Sequence, residues 1–169
     1  MINNKELLFC VDEDNNPIEP RPRSLVHTTG IWHRVCNIWI VNDKNEILCQ
    51  KRSLLKDNDP GLWNSFVGGH QAPNSTAEEQ GIIELKEELG ITIKGPELQK
   101  LFVYKLTGAR EFISVFILRW NGDETKLKLE PDEVDQVKWF GIDDLKKQIV
   151  ENKKNWSVMD YEDKLFGLV

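Results

Sequence analysis

Three glutamates, Glu84, Glu87 and Glu88, stand at i, i+3 and i+4. On a helix that spacing puts them on one face, where like charges repel by roughly 0.2–0.5 kcal/mol per pair. A divalent cation among them removes that cost. Hard cations such as magnesium take oxygen ligands, keep waters and bind substrate phosphates as well. Just upstream, Gly68 and Gly69 carry no side chain, so the backbone there can come close to a cation or a phosphate. The plain alternative is a solvated acidic helix face.

The second group of interest is three histidines, His27, His33 and His70. Three neutral imidazoles with a carboxylate make a good transition-metal site. Structural histidines, hydrogen-bonded near the glycine loop, are the competing reading. Arg21 and Arg23 lie in a stretch punctuated by Pro17, Pro20 and Pro22. They either meet an anionic substrate or are solvated loop charges. Of the six tryptophans, Trp32 or Trp63 could stack on a base, whereas buried tryptophans usually serve the core.

These groups need elements to hold them. Ser75 followed by Glu78 is a capping-box pair, which predicts a helix starting there. Gly90 stands where a helix ends through a left-handed residue. Between them Ile82, Leu85 and Leu89 form one apolar stripe, on a different face from the glutamates. Residues 6–11 read as a short strand and 12–16 as a polar turn. The prolines make 17–23 a loop or a sheet edge, so residues 1–30 are expected to contribute strands. Residues 31–41 and 46–52 read as a hairpin around the turn at 42–45. Pro60-Gly61 marks a turn before a short run and the glycine loop. Residues 98–106 and 111–120 read as two more strands, and a last strand ends near Phe140. Asp143 or Asp144 is expected to cap a helix through Val150, with a short helix near 161–166. This order points to an α/β fold, a mixed sheet with helices on its faces.

The chain has 169 residues, 30% charged and 40% hydrophobic, with a net charge of −6. That length suits a single domain over residues 1–169. The acidic balance argues against a nucleic-acid partner. A small phosphate-bearing substrate remains open, because a metal supplies local positive charge. No apolar run reaches the roughly 18 residues of a membrane span, and residues 1–6 lack a signal-peptide pattern. Cys10, Cys36 and Cys49 form no paired motif. A cytoplasmic location fits all three observations.

The stretch 69–91 resembles the Nudix box, the signature of the MutT-like hydrolases. That signature reads glycine, five residues, glutamate, seven residues, arginine-glutamate, an aliphatic, any residue, two glutamates, any residue, glycine, an aliphatic. Gly69 begins it here, Glu84-Leu85-Lys86-Glu87-Glu88 is its acidic core, and Gly90-Ile91 ends it. Ser75 stands in place of the first glutamate and Ile83 in place of the arginine, which in the family orients the carboxylates. The flanks agree with the box: a basic pair, Lys51-Arg52, closes the hairpin, and Pro60-Gly61-Leu62-Trp63 precedes the glycines.

The resemblance implies an α/β/α sandwich with the box helix on one face of a mixed sheet. It implies Mg2+ or Mn2+ held by Glu84, Glu87, Glu88 and the carbonyl of Gly68. The reaction it implies is hydrolysis of a phosphoanhydride in a small-molecule diphosphate, a nucleoside diphosphate linked to a group X. Arg52, Arg23 and Trp63 are the expected substrate contacts. A family glutamate about six residues before a late tryptophan often binds metal or acts as general base. Glu133 stands six before Trp139, with Glu111 as its competitor; Glu84 and Glu87 are the helix alternatives. Nudix proteins are often dimers, so a homodimer is an expected assembly.

The histidines resemble the isopentenyl-diphosphate isomerase branch of the same superfamily. That branch carries three metal-binding histidines near these places and a glutamate pair on the strand that here has Glu111. The implied second metal site is His27, His33, His70 and Glu111. The isomerase uses a cysteine two residues before the third histidine, however, and Gly68 occupies that position here. The interval from His27 to His33 is also slightly short of its pattern. Without the thiol, isomerase chemistry lacks its acid or base at that spot. The altered box leaves one more alternative, a chain that binds a nucleotide without turnover.

Overall fold

The structure, a computed structural model, describes residues 6–168; the readings made of residues 1–5 and of Val169 lie outside it. It opens with β1 (Leu7–Leu8), antiparallel to β2 (Arg21–Pro22). In the turn between them, Asp12 Oδ1 accepts from the N–H groups of Asp14 and Asn16 at 2.9 and 2.8 Å.

Residues 1–30 were expected to contribute strands, with a turn and a loop or edge between; helix α1 (Arg23–Thr29) follows β2 as well. Pro22 precedes it at φ −58°, and Gly30 closes it in the left-handed region at φ 68°. A proline at the start and a glycine past the end suit a helix. Only Val26 of α1 is buried, so no apolar stripe announces the helix in the sequence.

The sheet is organised around β3 (His33–Val41). It runs parallel to β8 (Glu111–Arg119) along its whole length, and β8 is antiparallel to β7 (Leu98–Leu106). Val35, Trp39 and Val41 face one side of the sheet, while Cys36, Ile38 and Ile40 face the other. Burial on both faces explains the nearly continuous apolar run read over 31–41.

The hairpin partner of β3 is β4 (Glu46–Arg52), yet the two pair only at Val41 and Ile47, beside their turn. Beyond that point they part, and residues 63–70 enter the gap. There β5 (Trp63–Asn64) pairs with β4, and β6 (Val67–His70) pairs with β3 over Val35–Ile38. Gln50 Nε2 spans the fork, donating to the Phe66 carbonyl at 2.9 Å. This fork carries Gly68 and Gly69 into the middle of the molecule. The last strand, β9 (Val134–Gly141), pairs with β4.

Helix α2 (Ala77–Leu89) lies over one face, its Leu85 and Leu89 fully buried among Ile38, Val67 and Phe116. Helices α3 (Ile142–Glu151) and α4 (Glu162–Phe166) cover the other, with Leu145, Leu165 and Phe166 beside Trp39. The layers are α/β/α, as expected.

Two helix starts differ from expectation. The capping box of α2 is Thr76 with Glu79, one residue later than Ser75 with Glu78. Both pairs satisfy the pattern, but the Ser75 hydroxyl is taken up by the loop, donating to the Ala72 carbonyl at 3.0 Å. Helix α3 starts behind Gly141, and neither Asp143 nor Asp144 caps it. Both lie in its first turn, where the helix dipole favours negative charge. Among the described residues no helix is long and apolar enough to cross a membrane.

Candidate active site

The start of α2 is pinned from both sides. Thr76 Oγ1 accepts from the Glu79 N–H at 3.1 Å, and Glu79 Oε2 accepts from the Thr76 N–H at 2.7 Å. With Leu85 and Leu89 turned to the sheet, Glu84 and Glu88 fall on the flank beside β6. Gly69 sits directly under Glu84: a Cβ built on Gly69 would overlap the Glu84 carboxylate. A Cβ on Gly68 would overlap the Cys36 carbonyl oxygen. Position 68 therefore needs glycine, because its neighbour is backbone; a side chain at Gly69 would displace the Glu84 carboxylate.

Glu88 is only 6% exposed, and its Oε2 has no hydrogen-bond partner among the described residues. Burial pushes its carboxyl up to about 8, and the charges of Glu84 and Glu133 push the same way. Burial likewise raises Glu84 to about 7, against a lowering hydrogen bond from Gln80. A buried carboxylate oxygen without a partner is costly; the proton that the raised pKa retains relieves it, and a bound cation would do the same. The third carboxylate to come close is Glu133, from the turn before β9. It forms an ion pair with Lys56, and its carbonyl accepts from the Ser53 N–H at 2.9 Å. Glu87 stands at the exposed rim.

The histidines also converge. His27, His33 and His70 each offer a ring nitrogen, and these nitrogens lie within 4.8 Å of one another. His27 Nε2 and His70 Nε2 are 3.1 Å apart. The tautomer of His33 is decided by its neighbour: Nδ1 is 3.0 Å from the Ile31 carbonyl oxygen, which only accepts. The proton therefore sits on Nδ1, and Nε2 presents a bare lone pair. That nitrogen is buried and has no hydrogen-bond partner among the described residues, with Glu111 Oε1 3.7 Å away. Register accounts for this neighbour, since His33 and Glu111 are direct partners across β3 and β8. Burial lowers all three imidazoles below their ordinary range, and His70 furthest, to about 2. Burial raises Glu111 to about 7. Neutral imidazoles with an oriented lone pair are metal-ligand chemistry.

A family profile for the NUDIX domain matches residues 32–159. The chain belongs to the Nudix family. It is 32% identical over 158 residues to an uncharacterised Nudix hydrolase of Clostridium acetobutylicum, covering 88% of this chain and 76% of that one. It is 28% identical over 158 residues to isopentenyl-diphosphate Delta-isomerase 1 of Aromatoleum aromaticum, covering 90% of this chain and 87% of the relative. A crystal structure from Deinococcus radiodurans superposes with a TM-score of 0.76 over 95% of this chain and 97% of that one. At 21% identity that likeness concerns the fold.

Within this Nudix frame the other expected residues are distributed unevenly. Arg23 lies near the histidines, depressing all three imidazoles, and pairs with Glu6 at 3.5 Å. Arg52 donates from Nε to the Asn58 carbonyl at 2.9 Å, bracing the loop after β4. Trp63, expected to touch substrate, stacks on Trp156 with ring centres 6.0 Å apart and meets Phe140 edge-on. Half-buried, it packs against the core on the face opposite α2.

Two residues escaped the sequence reading. Lys56, paired with Glu133, is the cation whose charge bears on Glu84, Glu88 and His70. Its only local signal is its place four residues after Arg52. Gln80 bonds to Glu84 from one turn earlier on α2, and that i, i+4 spacing was open to reading.

Proposed function

We propose that this chain is a metal-dependent pyrophosphohydrolase. Its substrate is a small molecule in which a nucleoside diphosphate is linked to a further group, and a phosphoanhydride bond is cut. The observation that carries this reading is the buried Glu88 oxygen, without a partner among the described residues, beside a Glu84 carboxylate that lies against Gly69. Glu84, Glu88 and the Gly68 carbonyl, with Glu87 at the rim, would hold Mg2+ or Mn2+. When bound, such an ion offsets phosphate charge and lowers the pKa of a bound water.

The remaining work falls to the chain. Glu133, or Glu84 or Glu87 on the helix, takes the proton of the attacking water. The charge of Lys56 bears on Glu88 and His70, and that of Arg23 on His70, so both would help offset the charge of a diphosphate. Arg52 holds the loop that carries Lys56. The histidine cluster, His27, His33 and His70 with Glu111, supports a second site for a transition metal. The working partner is the small diphosphate rather than nucleic acid or membrane, in the cytoplasm, with a homodimer as the expected assembly.

A second reading, isomerisation of isopentenyl diphosphate, draws on the histidine cluster and on the isomerase relatives. Gly68 speaks against it, because it offers no thiol and a Cβ there would overlap the Cys36 carbonyl oxygen. The test is release of nucleotide or phosphate from a panel of dinucleoside and nucleotide-sugar diphosphates with Mg2+. Wild type should turn over at least one, and Glu88→Gln should lose that turnover. Equal inactivity of both across the panel sinks the hydrolase reading. Tight, metal-independent nucleotide binding without product marks a non-catalytic binder, and turnover of isopentenyl diphosphate marks an isomerase.

A further inference from the structure

The box of this chain lacks both of its usual polar anchors. Ser75 is a short hydroxyl where the signature has a carboxylate, and Ile83 brings no polar atom. Ile83 is 41% exposed, so it leaves the carboxylates without a donor from its position. The carboxylate of Glu84 is nevertheless held.

We infer that Gln80 is the positioning residue that replaces the missing arginine, fixing Glu84 for the metal through one neutral carboxamide. This inference rests on the metal-dependent reading above. Gln80 is 8% exposed. Its Nε2 donates to Glu84 Oε1 at 2.7 Å. Its Oε1 accepts from the Ala72 N–H at 3.1 Å and lies 3.3 Å from the Ser75 hydroxyl. The single Ser75 proton is shared between this oxygen and the Ala72 carbonyl.

These partners admit one orientation of the amide. Turned over, its NH2 would meet the Ala72 N–H, and its oxygen would meet the Glu84 carboxylate. Both contacts would be repulsive. The carboxamide therefore links the glycine-loop backbone to the α2 carboxylate as a fixed strut. Ser75 belongs to the same arrangement, because a carboxylate in its place would set an acceptor against the Gln80 carbonyl. Gln80 also gives its hydrogen bond without a full positive charge, so it steadies Glu84 without neutralising the attraction for a cation.

The test compares wild type with Gln80→Met, which keeps length and bulk but removes the donor. Gln80→Leu is a second apolar replacement that guards against a folding artefact. Mn2+ binding is measured by electron paramagnetic resonance. The dissociation constant should rise about ten-fold, the scale of losing one hydrogen bond to a charged group. The Mn2+ concentration for half-maximal turnover should rise by the same factor. KM for the substrate should stay near wild type, while the melting temperature falls modestly, because the Ala72 N–H and the Glu84 carboxylate each lose a partner. A role in packing alone would move the melting temperature and leave the metal constants in place. Adding Ile83→Arg to Gln80→Met should recover Mn2+ affinity, because it restores a donor at the family position. Unchanged Mn2+ affinity in both Gln80 variants overturns the assignment while leaving the metal reading intact. Absence of Mn2+ uptake by wild type overturns both.

Discussion

Replacing Glu88 by glutamine should stabilise the metal-free protein and abolish its response to metal. Glu88 carries a buried carboxyl pushed from 4.5 up to about 8, chiefly by burial and then by the charge of Glu84. Because the folded form keeps its proton to higher pH than the unfolded chain, stability is fully present below about pH 4.5. It is lost as pH rises towards about 8, where the folded group also ionises. At about 1.36 kcal/mol per pH unit the whole rise corresponds to about 4–5 kcal/mol. Glu84 shares the repulsion, so the part relieved by one substitution is about 2–4 kcal/mol. For a chain of this size that is a rise of about 4–16 °C in melting temperature.

The assay is thermal unfolding at about pH 5 and about pH 8, with EDTA and with excess Mg2+. With EDTA, wild type should melt lower at the higher pH, and Glu88→Gln should melt above wild type there. Mg2+ should raise wild type by binding the folded state and leave Glu88→Gln nearly unmoved. If the variant melts below wild type at the higher pH in EDTA, or gains as much from Mg2+, the buried-charge reasoning is wrong.

Lys56→Met should raise KM for a diphosphate substrate by about ten-fold, worth ~1.4 kcal/mol, and steady-state kinetics with Mg2+ at saturation checks it. Gly69→Ala inserts a methyl group into the Glu84 carboxylate, so it should weaken Mn2+ binding and cost about 1–3 kcal/mol by overpacking, read by paramagnetic resonance and denaturant melts. Co2+ should give a ligand-field spectrum from the histidine cluster that disappears in His33→Gln. Because burial holds these imidazoles below the usual 6.5, that spectrum should persist as pH falls through this value, and its loss near 6.5 would show ordinary, exposed histidines.

The legible part of the site was the part written in short intervals. The stripe of Leu85 and Leu89 and the stop at Gly90 predicted α2 to within a residue, because helical spacing repeats locally. The cap slipped by one because Ser75 and Thr76 both fit the pattern, and only the loop's demand for the Ser75 hydroxyl separates them. Helix α1 was missed because seven residues burying one valine carry no period. The neighbours of Trp63, Phe140 and Trp156, lie far along the chain and so left no local signal.

By itself the sequence determined the box, its helix, the glycine pair and the alternation of strands and helices that makes an α/β/α sandwich. Each of these depends on residues a few positions apart, where backbone geometry alone decides who shares a face. Tertiary structure decided which distant groups meet: Glu133 with Lys56, 77 residues apart, and His27 with His70, 43 apart. It also decided that β3 and β4 part beyond their turn, so that the glycines enter beneath Glu84. The physical reason is that strand register and layer packing, which bring these side chains together, are properties of the whole sheet and leave no trace in any short stretch of chain.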